Sequence, residues 1–450
     1  MRIKVMKFGG TSVATPEARL TSAMRVISAK EQGYSPVVVV SAIGRKGAPY
    51  ATDTLINVLR EIDPSVEPDP RELDLMIACG EIMSAVIFAH TLKTLGHSAQ
   101  AFRGGQAGIR TDGVYGNARI VGINPVSLFQ SIEHGKIPVV CGFQGVFVQT
   151  EGAPGGELTT LGRGGSDTTG AAIGAALNAE AVEIFTDVDG VKTADPDAVK
   201  EAPTLRKVTY DEVAEIAHLG AKVVHPRAAE IAMNYGIPLW VKNTFSDDEG
   251  TEIVTRENFP GRRVTGVTHT GKLVYLQFDL NGAIESDRVM LESRIYETMA
   301  KYGINLFMLN LSPSSTGFAV PRSQYPTVEG ILDGLVIPVS DGYKRVYVVQ
   351  IGAKASRVVE TQANLLSSLG EVRKIPALLT EGCSMVSLVG HEYLQQPGVF
   401  LNVLTAMMDG QVTVLQTSDS DFSLSLLVPE ADTNRAVKLL HDRFHLAEVR

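Results

Sequence analysis

The sequence predicts an α/β chain: a mainly parallel sheet with helices on both faces over roughly residues 1–250, followed by an α+β region of shorter elements. Three observations carry this. Continuous apolar runs such as residues 36–42 (PVVVVSA) have the pattern of strands buried on both faces. Helical stretches with their own start and stop residues separate those runs. Beyond residue 272 the elements shorten and repeat as β-α-β-β-α-β.

Residues 2–7 (RIKVMK) read as the first strand, running into Gly9 and Gly10. Thr15 then caps a helix with Pro16 in its first turn, where the missing N–H costs nothing. Leu20, Met24 and Ile27 give it an apolar face, and Gly33 ends it. A second strand covers 36–42 and a long helix 70–95, while Val139–Phe143 and Val182–Thr186 are further buried strands. Thr209 and Glu212 form a capping box that opens a helix stopping at Gly220. Another helix runs from Pro226 to Gly236, and Pro238–Lys242 is one more strand.

Residues 247–272 are polar and turn-rich and read as a boundary. The expected division is a first domain at 1–250, a linker at 251–272, and two repeated units at 273–380 and 381–450. In the first unit a strand (273–278), a helix (287–302) and Gly303 precede a polar cluster, Ser312–Thr316. In the second, a strand (383–389), a helix (397–408) and Gly410 precede Thr417, Ser418 and Ser420. Residues 322–343 look like an insertion in the first unit. Such a pair can sense a small ligand or be plain packing, since a fold does not fix a function.

The whole-chain numbers exclude several classes. With 450 residues, two to four domains are expected. A balance of 41 basic and 50 acidic residues gives −9, and no dense basic run is present to neutralise phosphates, which excludes generic nucleic-acid binding. The three cysteines, Cys79, Cys141 and Cys383, stand in apolar surroundings without CxxC spacing, so neither disulfides nor zinc are expected and a reducing cytoplasm fits. The start, MRIKVMKFGG, has no signal-peptide core. The longest uncharged run, Tyr302–Pro321, holds two prolines and several serines and is no membrane span. Nine histidines show no metal spacing, and His225 reads as structural.

Five places can carry chemistry. Lys7-Phe8-Gly9-Gly10-Thr11-Ser12 ends a strand with a mobile cation and two glycines, which suits an anion or simply a tight β-α connection. Gly142–Asp167 holds eight glycines, Arg163 and a terminal Ser166-Asp167 that opens a small-residue helix. There Arg163 can take a carboxylate in bidentate fashion, and Asp167 can orient a lysine. Thr186 and Asp187 end a strand at the sheet edge where α/β proteins hold ligands, or form an ordinary turn. Glu81 sits in an apolar helix and must be paired or bind a cation such as an ammonium group. Lys222 follows a helix end and can reach a phosphate.

Taken together, KFGGTSV at 7–13, SA at 41–42, CGE at 79–81, GF at 142–143, LGRGGSD at 161–167, FTDVDGV at 185–191 and GAKVVHP at 220–226 resemble the aspartokinases. Each motif is weak alone, but all seven occur in the family's order. The second half is similar to the tandem ACT domains of the monofunctional lysine-pathway type. The resemblance implies the amino-acid-kinase αβα sandwich and ATP-dependent phosphorylation of the L-aspartate β-carboxylate, with Mg²⁺ bound through the ATP phosphates and no metal site of the protein's own. It implies Lys7 and Asp167 as catalytic residues, with Ser41, Thr52, Glu81, Phe143, Arg163 and Ser166 around aspartate. Gly9, Gly10, Ser12, Thr186, Asp187 and Lys222 would meet ATP. It further implies a cytoplasmic homodimer or higher homo-oligomer, with no nucleic-acid or membrane partner. An amino-acid effector (lysine, threonine or diaminopimelate) would bind near Asn305, Gln416, Ser418 and Asp419.

Two positions depart from the pattern. Asp197 stands where an arginine is usual, removing a positive charge that Lys192 or Lys200 would have to replace, and Phe307 stands where lysine-sensing relatives place an aspartate. Two other readings stay open at this point: another acyl-phosphate-forming amino-acid kinase, or a non-catalytic amino-acid sensor.

Overall fold

The apolar runs of the first half are neighbouring strands of one sheet. They are seen in a computed structural model that describes residues 1–148, 156–221, 223–259, 263–339, 345–352, 370–391 and 398–448. The chain forms two units, the first chiefly residues 1–193 and 202–265, the second residues 194–201 and 266–447. Asp197 and Lys200 thus belong to the second unit and Lys192 to the first.

In the first unit the strands are β1 (Ile3–Phe8), β2 (Ser35–Val40), β3 (Ala99–Phe102), β4 (Ile109–Thr111), β5 (Ile120–Ile123), β6 (Ile137–Cys141), β7 (Gln144–Phe147), β8 (Glu157–Thr160), β9 (Ala181–Thr186), β10 (Lys207–Thr209), β11 (Leu239–Asn243) and β12 (Thr251–Val254). The helices are α1 (Pro16–Glu31), α2 (Thr52–Arg60), α3 (Pro70–Thr94), α4 (Val126–Glu133), α5 (Gly165–Leu177), α6 (Tyr210–His218) and α7 (Pro226–Asn234). Eight strands form the main sheet in the order β10-β12-β11-β9-β1-β2-β6-β3, parallel except where β11 meets β12. Alternation along β1 divides its side chains between two layers. Met6 and Phe8 join Ala23, Val26 and Phe88 of α1 and α3, with Phe8 stacked between Phe88 (5.5 Å) and Phe185 (4.9 Å). Val5 and Lys7 face α5. That helix lies close because its contact face is glycine: a Cβ on Gly174 would come within 2.3 Å of Val182 Cγ2.

The helix signals hold at their caps. Thr15 accepts a hydrogen bond from the Ala18 amide (3.2 Å), and the Thr209–Glu212 capping box is complete. The expected face of α1 needs correction. Leu20 and Met24 are about half exposed, and the helix instead buries Ala18, Ser22, Ala23, Val26, Ile27 and Ala29, small residues that let it sit low on the sheet. Cys79 also departs from expectation, being exposed on α3 while Cys141 and Cys383 are buried. The boundary shifts as well, since Thr251–Val254 is a strand of the main sheet. Its leading residue is polar but fully buried, because Thr251 Oγ1 accepts from the Val191 amide (2.9 Å) and donates to the Leu205 carbonyl (2.6 Å).

Helix α3 is long and apolar enough to cross a membrane by length and composition, yet it packs on β3 and β6 and carries two buried acids, Asp74 and Glu81. Asp74 secures a small second sheet (β5-β4-β7-β8) over the helix. Its two oxygens accept from the amides of Gly116 (3.0 and 3.1 Å) and Thr160 (2.8 Å) and from the Thr160 hydroxyl (2.6 Å). Asp74→Ala leaves three donors unmatched, and a loss of about 3 kcal/mol is expected. A urea midpoint equal to that of the parent would contradict this.

The second unit contains β13 (Gly266–Asp279), β14 (Phe307–Leu311), β15 (Ser315–Pro321), β16 (Val336–Pro338), β17 (Arg345–Ile351), β18 (Glu371–Val389), β19 (Gln416–Asp419) and β20 (Ser423–Pro429). Its described helices are α8 (Arg288–Lys301), α9 (Tyr325–Leu332), α10 (Val399–Asp409) and α11 (Thr433–Arg443). The expected repeat is present. Both polar clusters form the same hairpin turn, in which the Ser315 amide donates to Ser312 Oγ and the Ser423 amide to Ser420 Oγ, each at 3.1 Å. Two long strands join the copies. The first half of β18 runs parallel to β17 and its second half antiparallel to β20, while β13 pairs with β18 across a register shift between Thr270 and Leu273. Residues 322–339, the described part of the expected insertion, hold α9 and β16, whose Val328, Leu332 and Ile337 enter the core beside Phe278 and Phe318.

Candidate active site

Lys7 is next to last on β1, and the parallel register sets it beside Ile184 of β9 and Val39 of β2. Its side chain crosses to the first turn of α5, where Nζ meets Asp167 Oδ1 at 2.6 Å. The contact is charge to charge, off the angle of a hydrogen bond, and Oδ1 has no hydrogen-bond partner. Both side chains are largely enclosed, at 10% and 14% exposure, where water screens such a pair poorly. The Gly9 amide donates to the Phe185 carbonyl (3.1 Å), and the space a Gly9 Cβ would fill lies 3.7 Å from Lys7 Nζ.

The other two residues of the first motif do structural work. A Cβ on Gly10 would stand 2.4 Å from the Gly44 carbonyl oxygen, so this glycine admits the loop after β2. Ser12 is fully buried, its hydroxyl against Thr244 Oγ1 (2.7 Å) and its amide on the Gly9 carbonyl (3.0 Å). Ser12, expected among the residues that meet ATP, thus has its hydroxyl engaged within the fold.

Glu81 points from α3 at the loop after β2. Oε1 accepts from the Ala42 amide (3.0 Å), and Oε2 is buried with no partner. Burial pushes its carboxyl up to about 8, and the Ala42 hydrogen bond offsets only part of this. Among the described residues no lysine or arginine pairs with it, and the carboxyl keeps an acceptor open to a cation. Ser41 precedes Ala42, with its amide on the Phe8 carbonyl, and half-buried Thr52 opens α2. Phe143 has φ +69, a left-handed conformation uncommon for a bulky residue and frequent at functional sites. It is held there by its amide on Thr169 Oγ1 (3.0 Å) and its carbonyl on the Leu161 amide (2.8 Å).

The glycine-rich stretch resolves into two parts. Residues 144–147 and 157–160 pair as an antiparallel hairpin, and Leu161–Gly164 forms the loop into α5. Arg163 is exposed on that loop, and Ser166 is buried in the first turn of the helix. Thr186 is the last residue of β9 and Asp187 follows it, where Arg45 pairs with Asp187 (2.7 Å), a partner that sequence reasoning missed. The only sign was an Arg-Lys pair in the loop after β2. Lys222 lies outside the described residues. His225, read as structural, packs against Gly164 at the mouth of the same loop.

A buried strand-end lysine paired to a helix-start aspartate beside glycine turns has the chemistry to receive an anion, and the open carboxylate of Glu81 in the same unit that to receive a cation. The amino acid kinase family profile matches residues 2–243, and that of the ACT domain matches residues 378–442. The chain is 37% identical to aspartokinase 1 of Bacillus subtilis over the full length of both. It belongs to the aspartokinases. The aspartokinase of Geobacillus stearothermophilus is 35% identical over 100% of this chain and 98% of its own. The crystal structure of E. coli aspartokinase III with aspartate and ADP superposes with TM-score 0.69 over 98% of this chain and 99% of that one, at 24% identity, a likeness of fold. This aspartokinase catalyses the ATP-dependent phosphorylation of aspartate, the first step of aspartate-family amino-acid biosynthesis.

Proposed function

We propose that Lys7 and Asp167 form the phosphoryl-transfer centre, a reading carried by their enclosed 2.6 Å ion pair. The aspartate β-carboxylate is ionised at neutral pH and needs no base to attack. An oxygen–phosphorus bond to the β-carboxylate forms as the bond from the γ-phosphorus to ADP breaks. Catalysis is then positioning and charge neutralisation. Lys7 faces the charge that gathers on the transferring group, and Asp167, 2.6 Å from its ammonium, aims it. Glu81 Oε2 takes the substrate ammonium and Arg163 its α-carboxylate, with Ser41, Thr52, Phe143 and Ser166 shaping the pocket. Gly9, Gly10, Thr186, Asp187 and Lys222 serve ATP. Mg²⁺ comes with ATP, held through its phosphates. Bound there, it neutralises phosphate charge. ADP release with aspartate, glutamate, acetylglutamate and UMP as acceptors tests this, and aspartate should win clearly. A better rate with any other acceptor overturns the pocket assignment.

The second unit serves feedback control by lysine, threonine or diaminopimelate. Gln416, Ser418 and Asp419 lie on β19, which runs close to β14, and Asn305 precedes β14. Half-buried Phe307 offers no charge to an effector ammonium there. Among the described residues strand β14 hydrogen-bonds only β15, and it exposes Leu309 and Leu311, an edge suited to a second copy of the chain. The enzyme works in the cytoplasm as a homo-oligomer. A monomer by light scattering at micromolar concentration contradicts the oligomer, and calorimetry with each amino acid identifies the effector.

A further inference from the structure

The loop that delivers Arg163 and Asp167 is gripped from outside by residues with no place in the reaction so far. Arg227, in the first turn of α7, donates from Nη1 to the Leu161 carbonyl (3.2 Å) and from Nη2 to Asn117 Oδ1 (2.9 Å). These partners lie 66 and 110 residues away in sequence. Both are themselves anchored. The Ala118 amide donates to the Thr160 carbonyl (2.8 Å), and the carboxylate of Asp74 holds Gly116 and Thr160 together. Gly162, at φ +74, lies against Asn117, whose Oδ1 would be 3.0 Å from a Cβ there.

The residue that caps the start of α7 closes the other side. The His225 ring fills the place where a Gly164 Cβ would stand, with Cδ2 2.1 Å from that point. His225 Nδ1 is buried without a hydrogen-bond partner, so the ring acts there by packing. Residues 161–164 are thus clasped on two sides immediately before α5 begins and turns Asp167 toward Lys7.

We propose that Arg227 is a positioning residue for phosphoryl transfer. By bridging Leu161 and Asn117 it fixes the loop that aims Asp167 at Lys7 and sets Arg163 in the acceptor pocket. The inference rests on the roles given above to Asp167 and Arg163. A guanidinium suits the task because its planar fork reaches two acceptors on separate segments at once, which a lysine ammonium does less well. Without the bridge, a loop containing Gly162 and Gly164 samples other conformations, and the pair at Lys7 is formed for a smaller fraction of the time.

Steady-state kinetics of the full-length enzyme test this with Arg227→Met, Arg227→Lys and Asn117→Ala, and with Asp167→Asn alongside. Arg227→Met should lower kcat/KM for aspartate by about 10- to 100-fold, through both kcat and the aspartate KM, with the ATP KM unchanged. Arg227→Lys should fall between Arg227→Met and the parent. A purely structural role would lower Tm while the folded enzyme kept parent kinetics. If Arg227→Met does not fold, the two milder variants decide, and parent-like aspartate kinetics in both overturn the proposal. Loss of activity in Asp167→Asn together with parent kinetics at Arg227 overturns this inference alone. Near-parent activity in Asp167→Asn overturns the site reading and this inference with it.

Discussion

Lys7→Ala should lower kcat by two to three orders of magnitude, about what the loss of one preorganised charge at a reacting centre costs. The variant also leaves Asp167 without its counter-ion in an enclosed place, and breaking such a pair from one side destabilises by about 3 kcal/mol. The two effects are separable. Lys7→Ala/Asp167→Ala removes both charges, so it should regain much of the lost stability while staying as inactive as Lys7→Ala alone. Thermal melts and ADP release on the same preparations give both answers. A double variant that recovered activity along with stability would mean that the pair holds the fold and not the phosphoryl group.

Much of the first unit was legible because its strands are buried on both faces and its helices carry strong caps. The periodic runs placed β1, β2, β6, β9 and β11, and Thr15, Thr209 and Pro226 placed three helix starts. What escaped was short or polar. Strand β12 leads with a threonine whose hydroxyl bonds inward, and β4, β5, β7 and β8 are three or four residues each, too short for a period to show. In the second unit the shared long strands are invisible locally, because where β18 changes partners depends on residues far away in sequence.

The site was legible residue by residue where a motif marks it, at Lys7, Glu81 and Asp167. The residues that hold those groups in place were not. Asp74, Asn117 and Arg227 act across loops, and nothing in their immediate neighbours in sequence signals it; His225 lies in the motif at 220–226 but its contact with Gly164 does not show there. Ser12 stands in a motif too, and its hydroxyl bonds Thr244, a contact the motif alone does not show.

Glu81 gives the second large effect. Glu81→Gln should raise the aspartate KM by about 10- to 100-fold, the range for losing a charged hydrogen bond. In the free enzyme the carboxyl is pushed up to about 8, because burial penalises its charge and backbone hydrogen bonds, the Ala42 amide's first, offset only part of it. Cys141 senses the same acid: burial chiefly, and Glu81 next, raise its thiol, with Arg103 acting in the opposite direction. Below about pH 8 aspartate must therefore expel a proton from Glu81 as its ammonium enters. Aspartate binding at pH 7 should release protons, up to about one per site. Calorimetric titrations in two buffers of different ionisation enthalpy measure it directly. The aspartate KM should fall between pH 6 and 8 and level above, while Glu81→Gln shows a high, flat KM. Stability of the free enzyme runs the other way. A raised carboxyl pKa contributes most below the ordinary value of 4.5, and that contribution fades as pH climbs through 8. Glu81→Gln should thus gain on the parent in urea midpoint between pH 6 and 9. Equal proton release by parent and variant would show that Glu81 is already ionised and paired, and that the substrate ammonium is held elsewhere.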